Sequence, residues 1–325
     1  MKSRINTSFR LIFLPLIVIF ILSIFLSSCE SKTNPLTIHA DEFSVHILNV
    51  GEGDSILINF PDGKNMLIDT GNTDDVIADY VKSCIKKSDD KHLDYLVITH
   101  PDSDHVGNAK DIATAFSVGT VFGPYIHNLE VFPLYNEALT MLKDGGCAVK
   151  VSQYGQKIEG EDYLLAFLSP SPLGMDNSSY NDLNASSFPS SSEINDASPI
   201  IYLEYKGVRF VFTGDAGVSQ ENLVINNYKL GIYDMLYGDG VIKLENVDVL
   251  KVSHHGSGDA TSKTWVELLT PKNAVISVGD NSYGHPSSAT LERIQRYSPE
   301  VNFLRTDING TISMRIGEDL SLKIG

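Results

Sequence analysis

The segment 99–105, Thr-His-Pro-Asp-Ser-Asp-His, constrains this chain more than any other part of the sequence. It follows the apolar run 93–99, which has the composition of a buried strand, and it precedes a helix predicted over residues 106–116. Aspartates packed this closely repel one another unless a cation neutralises them, and imidazole and carboxylate are common ligands of zinc, manganese and iron. The segment therefore indicates a metal site after a strand of an α/β fold. The simpler alternative is a polar turn in which Asp102 or Asp104 caps the following helix.

Further polar side chains follow other predicted strands. Loops after strands are where convergent polar groups gather on an α/β scaffold, so we expect these side chains to join the first segment in one site. The additional candidates, at or just after the predicted strands 65–69, 208–213, 247–253 and 274–278, are Asp69, Asp215, His254, His255 and His285.

The order of predicted elements favours two sheets rather than one. The predicted strands first form a meander and then alternate with helices. The second half of the chain repeats this order, a meander followed by alternating strands and helices. Such a pattern predicts a four-layer αββα sandwich within the α/β class, with helices on the outside of both sheets. Residues 171–198 are rich in Ser, Asn and Asp, and they predict an excursion on the surface.

The first residues have the pattern of a secretion signal. Lys2, Arg4 and Arg10 precede the apolar run 11–26, and Leu-Ser-Ser-Cys ends at Cys29, as in a bacterial lipobox. We therefore expect a lipoprotein signal peptide over 1–28, a tether over 29–42 whose Cys29 carries lipid, and one folded domain over 43–325 that contains the candidate site. This places the protein on the extracellular face of the bacterial cell membrane. The alternative is an uncleaved anchor, for which the apolar run is short.

Charge and cysteine content limit the partners. The chain has 25 Lys and Arg against 41 Asp and Glu, a formal net charge of −16, which disfavours DNA as a partner without excluding it. A small anionic substrate held by metal ions remains compatible with that charge. Cys84 and Cys147 are either a disulfide or two buried thiols. No segment identifies a protein partner.

Several segments, in the same order along residues 43–316, resemble the metallo-β-lactamase superfamily and, within it, the ComEC-like hydrolase domains. These segments are Asn-Val-Gly-Glu-Gly-Asp-Ser at 49–55, Ile-Asp-Thr-Gly at 68–71, residues 99–105, Phe-Thr-Gly-Asp at 212–215, residues 251–257, Gly-His-Pro at 284–286 and Arg-Thr-Asp-Ile-Asn-Gly at 305–310.

The resemblance implies two divalent metal ions, Zn²⁺ or Mn²⁺, and a role for each candidate residue. One ion would be held by His100 and Asp102, the other by Asp104 and His105, and Asp215 would bridge them. One histidine of the pair at 254–255 would complete the second site.

The remaining roles are also carried over from the resemblance. We take His254 as the ligand and His255 as a substrate contact, while Asp69 would orient a ligand and His285 would steady developing negative charge at the rim. An ordinary turn is the alternative for His285. The superfamily has histidine where Asp102 stands, and it has another before the bridging aspartate, where residues 195–199 contain none; Asp196 is the candidate replacement.

The reaction that this set implies is hydrolysis by a metal-activated hydroxide. We expect a phosphodiesterase, with Asp104, His255 and His285 as catalytic residues, acting on DNA, nucleotides or wall-polymer phosphodiesters. The alternatives are a lactone or β-lactam hydrolase, or a surface-binding lipoprotein without catalysis.

Overall fold

The computed structural model describes residues 42–73, 77–85, 91–126, 128–172 and 190–325. The expected signal peptide, the lipidated Cys29 and the tether up to residue 41 lie outside the described residues. Among the residues that are described, no helix is long and apolar enough to cross a membrane.

The first sheet has eight strands, numbered with the others from β1 to β15 along the chain. They are β1 (Ser44–Ile47), β2 (Ile56–Asn59), β3 (Asn65–Ile68), β4 (His92–Val97), β5 (Ser117–Gly123), β6 (Ala148–Val151), β14 (Ile312–Ile316) and β15 (Leu322–Ile324). Their order across the sheet is β15-β14-β1-β2-β3-β4-β5-β6. Pairing is antiparallel from β15 to β3 and parallel from β3 to β6, so the sheet has one parallel half.

The second sheet repeats this plan with seven strands. They are β7 (Lys157–Gly160), β8 (Tyr163–Phe167), β9 (Ile201–Tyr205), β10 (Val208–Phe212), β11 (Val249–Lys251), β12 (Asn273–Ile276) and β13 (Asn302–Arg305). Their order is β13-β12-β11-β10-β9-β8-β7, antiparallel from β7 to β10 and parallel from β10 to β13. Each sheet thus presents the carboxyl ends of parallel strands along one edge.

Helices cover the outer face of each sheet. In the described part of the chain they are α1 (Ile77–Cys84), α2 (Ser103–Val106), α3 (Ala109–Ala115), α4 (Pro133–Asp144), α5 (Ser191–Asn195), α6 (Val218–Lys229), α7 (Ile232–Tyr237), α8 (Lys263–Leu269), α9 (Ser288–Tyr297) and α10 (Thr306–Asn309). Helices α1 to α4 pack on the first sheet, and α6 to α9 pack on the second. The predicted αββα sandwich of the metallo-β-lactamase type is therefore confirmed.

Side-chain alternation along the strands explains why the two sheets pack together. In β2, Ile56 and Ile58 face the core between the sheets, whereas Leu57 faces the helices of the first sheet. Phe210 of β10 enters the same central core from the second sheet. Because both faces of these strands are buried, they are apolar at nearly every position, as in other sheets covered on both sides.

The structure corrects the prediction for residues 171–198 and decides between the two alternatives for the cysteines. The predicted surface excursion includes the helix α5, which begins with a capping box between Ser190 and Glu193 and leads to the buried Ser198. Residues 173–189 of that excursion lie outside the description. Cys84 and Cys147 are free thiols, so the disulfide alternative is not realised.

His46 in β1 makes fold stability depend on pH. Its buried ring lies 3.0 Å from Ser313 Oγ through Nδ1 and 3.1 Å from Ser44 Oγ through Nε2, and burial lowers its pKa to about 4. Because this pKa is below that of the unfolded chain, His46 favours folding above pH 6.5, and that contribution is lost as the pH falls toward 4. Between pH 7 and pH 4.5 we expect this residue to lower the free energy of unfolding by about 2 to 3 kcal/mol.

Urea unfolding of the wild type and of His46→Gln, both in chelator, measures this effect. The difference between the two proteins should change by that amount across the interval. An equal pH dependence of both proteins would contradict the assignment.

Candidate metal centre

The candidate residues follow parallel strands of both sheets at one edge of the sandwich. Asp69 follows β3, and His100 to His105 lie after β4 and in α2. Asp215 follows β10, the histidine pair 254–255 follows β11, and His285 lies in the loop between β12 and α9. The structure thus brings the two halves of the chain together at one cluster of carboxylates and imidazoles.

Asp69 fixes the orientation of His105. Both side chains are fully buried, and the Nδ1 of His105 lies 2.8 Å from Asp69 Oδ2, while Thr99 donates to Asp69 through its backbone N–H and its hydroxyl. The Nε2 of His105 then faces Asp215 Oδ1 at 3.4 Å and Asp104 Oδ2 at 3.8 Å. A carboxylate that holds one ring nitrogen in this way leaves the other as a ligand.

His255 is held in the same manner by a backbone carbonyl. Its Nδ1 lies 2.9 Å from the oxygen of Ser277, and its Nε2 lies 3.4 Å from Asp104 Oδ2 and 3.5 Å from Asp215 Oδ2. Burial alone would lower its pKa, but the Asp215 and Asp104 carboxylates outweigh it and raise the pKa to about 10.

The pKa of the Asp215 carboxylate beside these rings is shifted in the opposite direction, downward. Burial would raise the pKa of Asp215, but His255 and His105 outweigh it and hold the pKa well below the ordinary value. For His105, Asp215 and Asp69 overcome burial and hold the pKa well above the usual range. Imidazolium protons and divalent cations are alternative partners for such carboxylates, so metal binding competes with protons here.

His254 is at the rim of the cluster rather than within it. Its side chain is 23% exposed, its Nδ1 lies 3.5 Å from Asp259 Oδ1 and its Nε2 lies 3.7 Å from Asp215 Oδ2. Its ring is next to that of His285, with centroids 5.3 Å apart. The geometry therefore favours His255 rather than His254 as a ligand, which is the reverse of the sequence prediction.

His100 and Asp102 form the other end of the cluster. The Nε2 of buried His100 lies 3.7 Å from Asp102 Oδ2, and its Nδ1 is within 3.1 Å of Thr99 Oγ1 and 3.3 Å of Ser198 Oγ. Asp102 is the residue before α2, but its side chain makes no capping hydrogen bond to the helix. The capping alternative for Asp102 is thus not supported.

Asp196 does not replace the histidine that the superfamily has before the bridging aspartate. Its carboxylate accepts hydrogen bonds from the backbone N–H of Gly217 and from the hydroxyl of Ser219. Ser198 instead lies beside His100 and accepts from the backbone N–H of Asp215 at 3.2 Å. The expectation for Asp196 is therefore wrong, because that carboxylate serves the loop before α6.

The residues present fit divalent metal ions. Among the described side chains, the Nε2 atoms of His100, His105 and His255 and the Oδ1 of Asp215 are buried without a hydrogen-bond partner. Ligand atoms of His100, His105 and Asp215 lie within 4.8 Å of one another, and so do those of Asp104, His105 and His255. Buried polar atoms without partners are costly, and a metal ion is a partner that imidazole and carboxylate share.

Three charged residues of the site were not predicted from the sequence. Lys251 and Asp54 form a fully buried ion pair at 2.5 Å behind the cluster, and Glu52 Oε1 lies 2.9 Å from His285 Nδ1 at the rim. The signals were present: a lysine at the end of an otherwise apolar strand, and two carboxylates in the glycine turn 51–54. An open cavity of about 410 Å³ lies over the cluster, with Glu52 and His285 on its wall.

Comparison with known proteins agrees with this geometry. Residues 48–146 match the family model described as the metallo-beta-lactamase superfamily. The crystal structure of CmlA, described as a diiron beta-hydroxylase from Streptomyces venezuelae, has a TM-score of 0.50 and 13% identity; the match covers 86% of this chain and 55% of that chain. This likeness concerns the fold alone. The architecture and the family match define a protein with the metallo-β-lactamase fold.

The sequence of this chain is also similar to those of two curated proteins, in agreement with the predicted ComEC-like resemblance. It is 28% identical over 296 residues to "ComE operon protein 3" of Bacillus subtilis (strain 168), and 25% identical over 284 residues to "Competence protein ComA" of Neisseria gonorrhoeae. These alignments cover 85% and 87% of this chain but 33% and 34% of the relatives. The chain thus spans about a third of the length of the curated relatives it matches.

Proposed function

We propose that this protein is a metal-dependent hydrolase of phosphodiesters that uses two divalent ions, Zn²⁺ or Mn²⁺. The observation that carries the proposal is the convergence of the buried, unpartnered Nε2 atoms of His105 and His255 on the carboxylates of Asp104 and Asp215. A ligand atom of buried His100 lies within 4.8 Å of those of His105 and Asp215. His100 and Asp102 would hold one ion, and Asp104, His105 and His255 the other, with Asp215 between them. Such a pair of ions, when bound, lowers the pKa of water and polarises the bond to be cleaved.

The protein holds the imidazole rings of the proposed ligands in their orientations before any metal ion binds. The Asp69 carboxylate and the Ser277 carbonyl each accept from an imidazole Nδ1, so the Nε2 atoms of His105 and His255 face the centre, where a metal ion would replace the proton that each carries. The side chains of Asp69, His105 and His255 are buried, and the Ser277 carbonyl belongs to the backbone. Little reorganisation is therefore required when a metal ion binds.

The rim supplies hydrogen-bond donors for an anionic substrate. Glu52 Oε1 accepts from His285 Nδ1, and its Oε2 accepts from the backbone N–H of Gly279, so this histidine is held in one orientation. His254 lies beside it, and both rings line the cavity. We assign these two imidazoles to the charged oxygens of the substrate, a contact through which His285 steadies charge that develops during cleavage.

The substrate class follows from the relatives and from charge together. Similarity to proteins named for competence and recombination supports nucleotides or DNA. A net charge of −16 opposes long-range attraction of a polyanion, so we propose short nucleotides as the preferred substrates. Wall-polymer phosphodiesters and DNA are both polyanions, and we propose them only where they are delivered to the site. Attachment to the extracellular face through lipid on Cys29 remains part of this proposal, and the basic, apolar and lipobox pattern of residues 1–29 supports it.

Hydrolysis of bis-p-nitrophenyl phosphate tests the proposal. We expect turnover in Mn²⁺ or Zn²⁺, its loss in chelator and its return when the ion is added back. Bound metal without phosphodiester turnover, together with turnover of a lactone or β-lactam, would favour the other hydrolase. Purified protein that holds no metal and hydrolyses nothing would favour a binding lipoprotein, a function compatible with the missing histidine near His100.

A further inference from the structure

The buried ion pair Asp54–Lys251 lies against the part of the metal centre that contains Asp104, Asp215 and His255. We propose that this pair is a positioning element that sets the affinity of the site formed by Asp104, His105 and His255 for its ion. The inference rests on the two-ion function proposed above. It assigns a role to two charges that contact neither the cavity nor a substrate.

The contacts of the pair lead to two ligands of that site and to Asp215, the carboxylate between the two sites. Lys251 Nζ lies 2.5 Å from Asp54 Oδ2 and donates to the carbonyl of Gly214, the residue before Asp215, at 3.3 Å. Asp54 Oδ1 lies 3.8 Å from His255 Nδ1, and the backbone N–H of Asp54 donates to the carbonyl of Asp104 at 3.2 Å. The pair therefore joins the turns that carry Asp104, Asp215 and His255.

Close packing around Gly53 makes this connection rigid. A Cβ on Gly53 would lie 2.4 Å from the carbonyl oxygen of Asp104, and its φ of +139° is one that side-chain-bearing residues rarely adopt. The turn before Asp54 is thus pressed directly against the backbone of a ligand, with no side chain between them.

Stability alone does not explain the pair. Both side chains are almost completely buried, and such a pair loses most of its hydration, so a well-packed apolar pair of similar volume is often as stable or more stable. The contacts of His100, by contrast, run to Thr99 and Ser198 and do not involve Asp54 or Lys251. A positioning role thus predicts a larger effect on the site of Asp104, His105 and His255 than on the site of His100, which the pair reaches only through Asp215.

Binding of Mn²⁺ to the metal-free full chain, without substrate, tests the proposal by titration calorimetry and by electron paramagnetic resonance. The variants are Lys251→Met and the double variant Asp54→Asn/Lys251→Met, in which no buried charge is left unpaired. The control Lys272→Met removes a surface lysine that pairs with Asp248. Urea unfolding of each protein reports stability separately from metal binding.

We expect the double variant to stay folded, yet to bind one of two Mn²⁺ ions at least about tenfold more weakly than the other. Lys251→Met should show the same loss with lower stability, and Lys272→Met should bind both ions normally. Wild-type affinities at both sites in the double variant, or equal weakening of both, would overturn the positioning role. A wild type that binds no Mn²⁺ or Zn²⁺ would overturn the proposed function itself, and this inference with it.

Discussion

Asp215→Asn is expected to lower metal-dependent phosphodiester hydrolysis by more than about 100-fold, since even an outer hydrogen-bond partner of a ligand costs about 10- to 100-fold when removed. Asp215 is the carboxylate whose two oxygens face different imidazoles, Oδ1 toward His105 at 3.4 Å and Oδ2 toward His255 at 3.5 Å. Asparagine keeps the shape but replaces one oxygen with an NH₂ group that has no lone pair for a metal. The value of kcat/KM, together with metal content by mass spectrometry, measures the effect.

A matched substitution separates this effect from a general loss of negative charge. Asp259→Asn changes a carboxylate whose side chain is 77% exposed and which contacts His254 at the rim, so we expect activity within about threefold of wild type. Asp104→Ala should behave like Asp215→Asn, because Asp104 Oδ2 faces both His255 and His105. Full activity in Asp104→Ala or Asp215→Asn would exclude the two-ion mechanism.

His255→Ala and His254→Ala are expected to differ by at least about tenfold in hydrolysis and by one equivalent of bound metal. Loss of the His255 ring removes a buried, unpartnered Nε2 from the second site, so that variant should retain no more than one tightly bound ion. His254 lies partly exposed at the rim, so its loss should raise KM while both ions stay bound.

Metal content and the separation of kcat from KM distinguish the two histidines. His255→Gln serves as a second variant, because it keeps a polar side chain of similar length at the buried position. If His254→Ala loses an ion and His255→Ala keeps two, the original sequence preference is right and the geometry of the rim described above is wrong.

The positions of the site residues along the chain could be predicted because each follows a predicted strand. Asp69, His100 and Asp215 come directly or almost directly after apolar runs, and the carboxyl ends of parallel strands meet at one edge. The choice between His254 and His255 could not be made in this way. Both have left-handed backbone conformations, with φ of 50° and 51°, so the alternation of a strand no longer holds there.

The partners of the predicted residues were harder to find than the residues themselves. Asp54 and Lys251 are separated by almost two hundred positions, and nothing local in the sequence says that they meet. Asp196 was misassigned for a related reason. Its position before the bridging aspartate suggested a ligand, whereas it accepts hydrogen bonds from Gly217, just before α6, and from Ser219 in the first turn of that helix.

The arrangement of ligands across both sheets has a consequence for how the protein matures. His100, Asp104 and His105 come from the first sheet, whereas Asp215 and His255 come from the second. An incomplete chain, or one whose sheets have not yet docked, presents only part of the ligands. The complete ligand set for the two proposed ions therefore forms only when the two sheets have packed together. The ions would then bind to the folded protein and would not direct its folding.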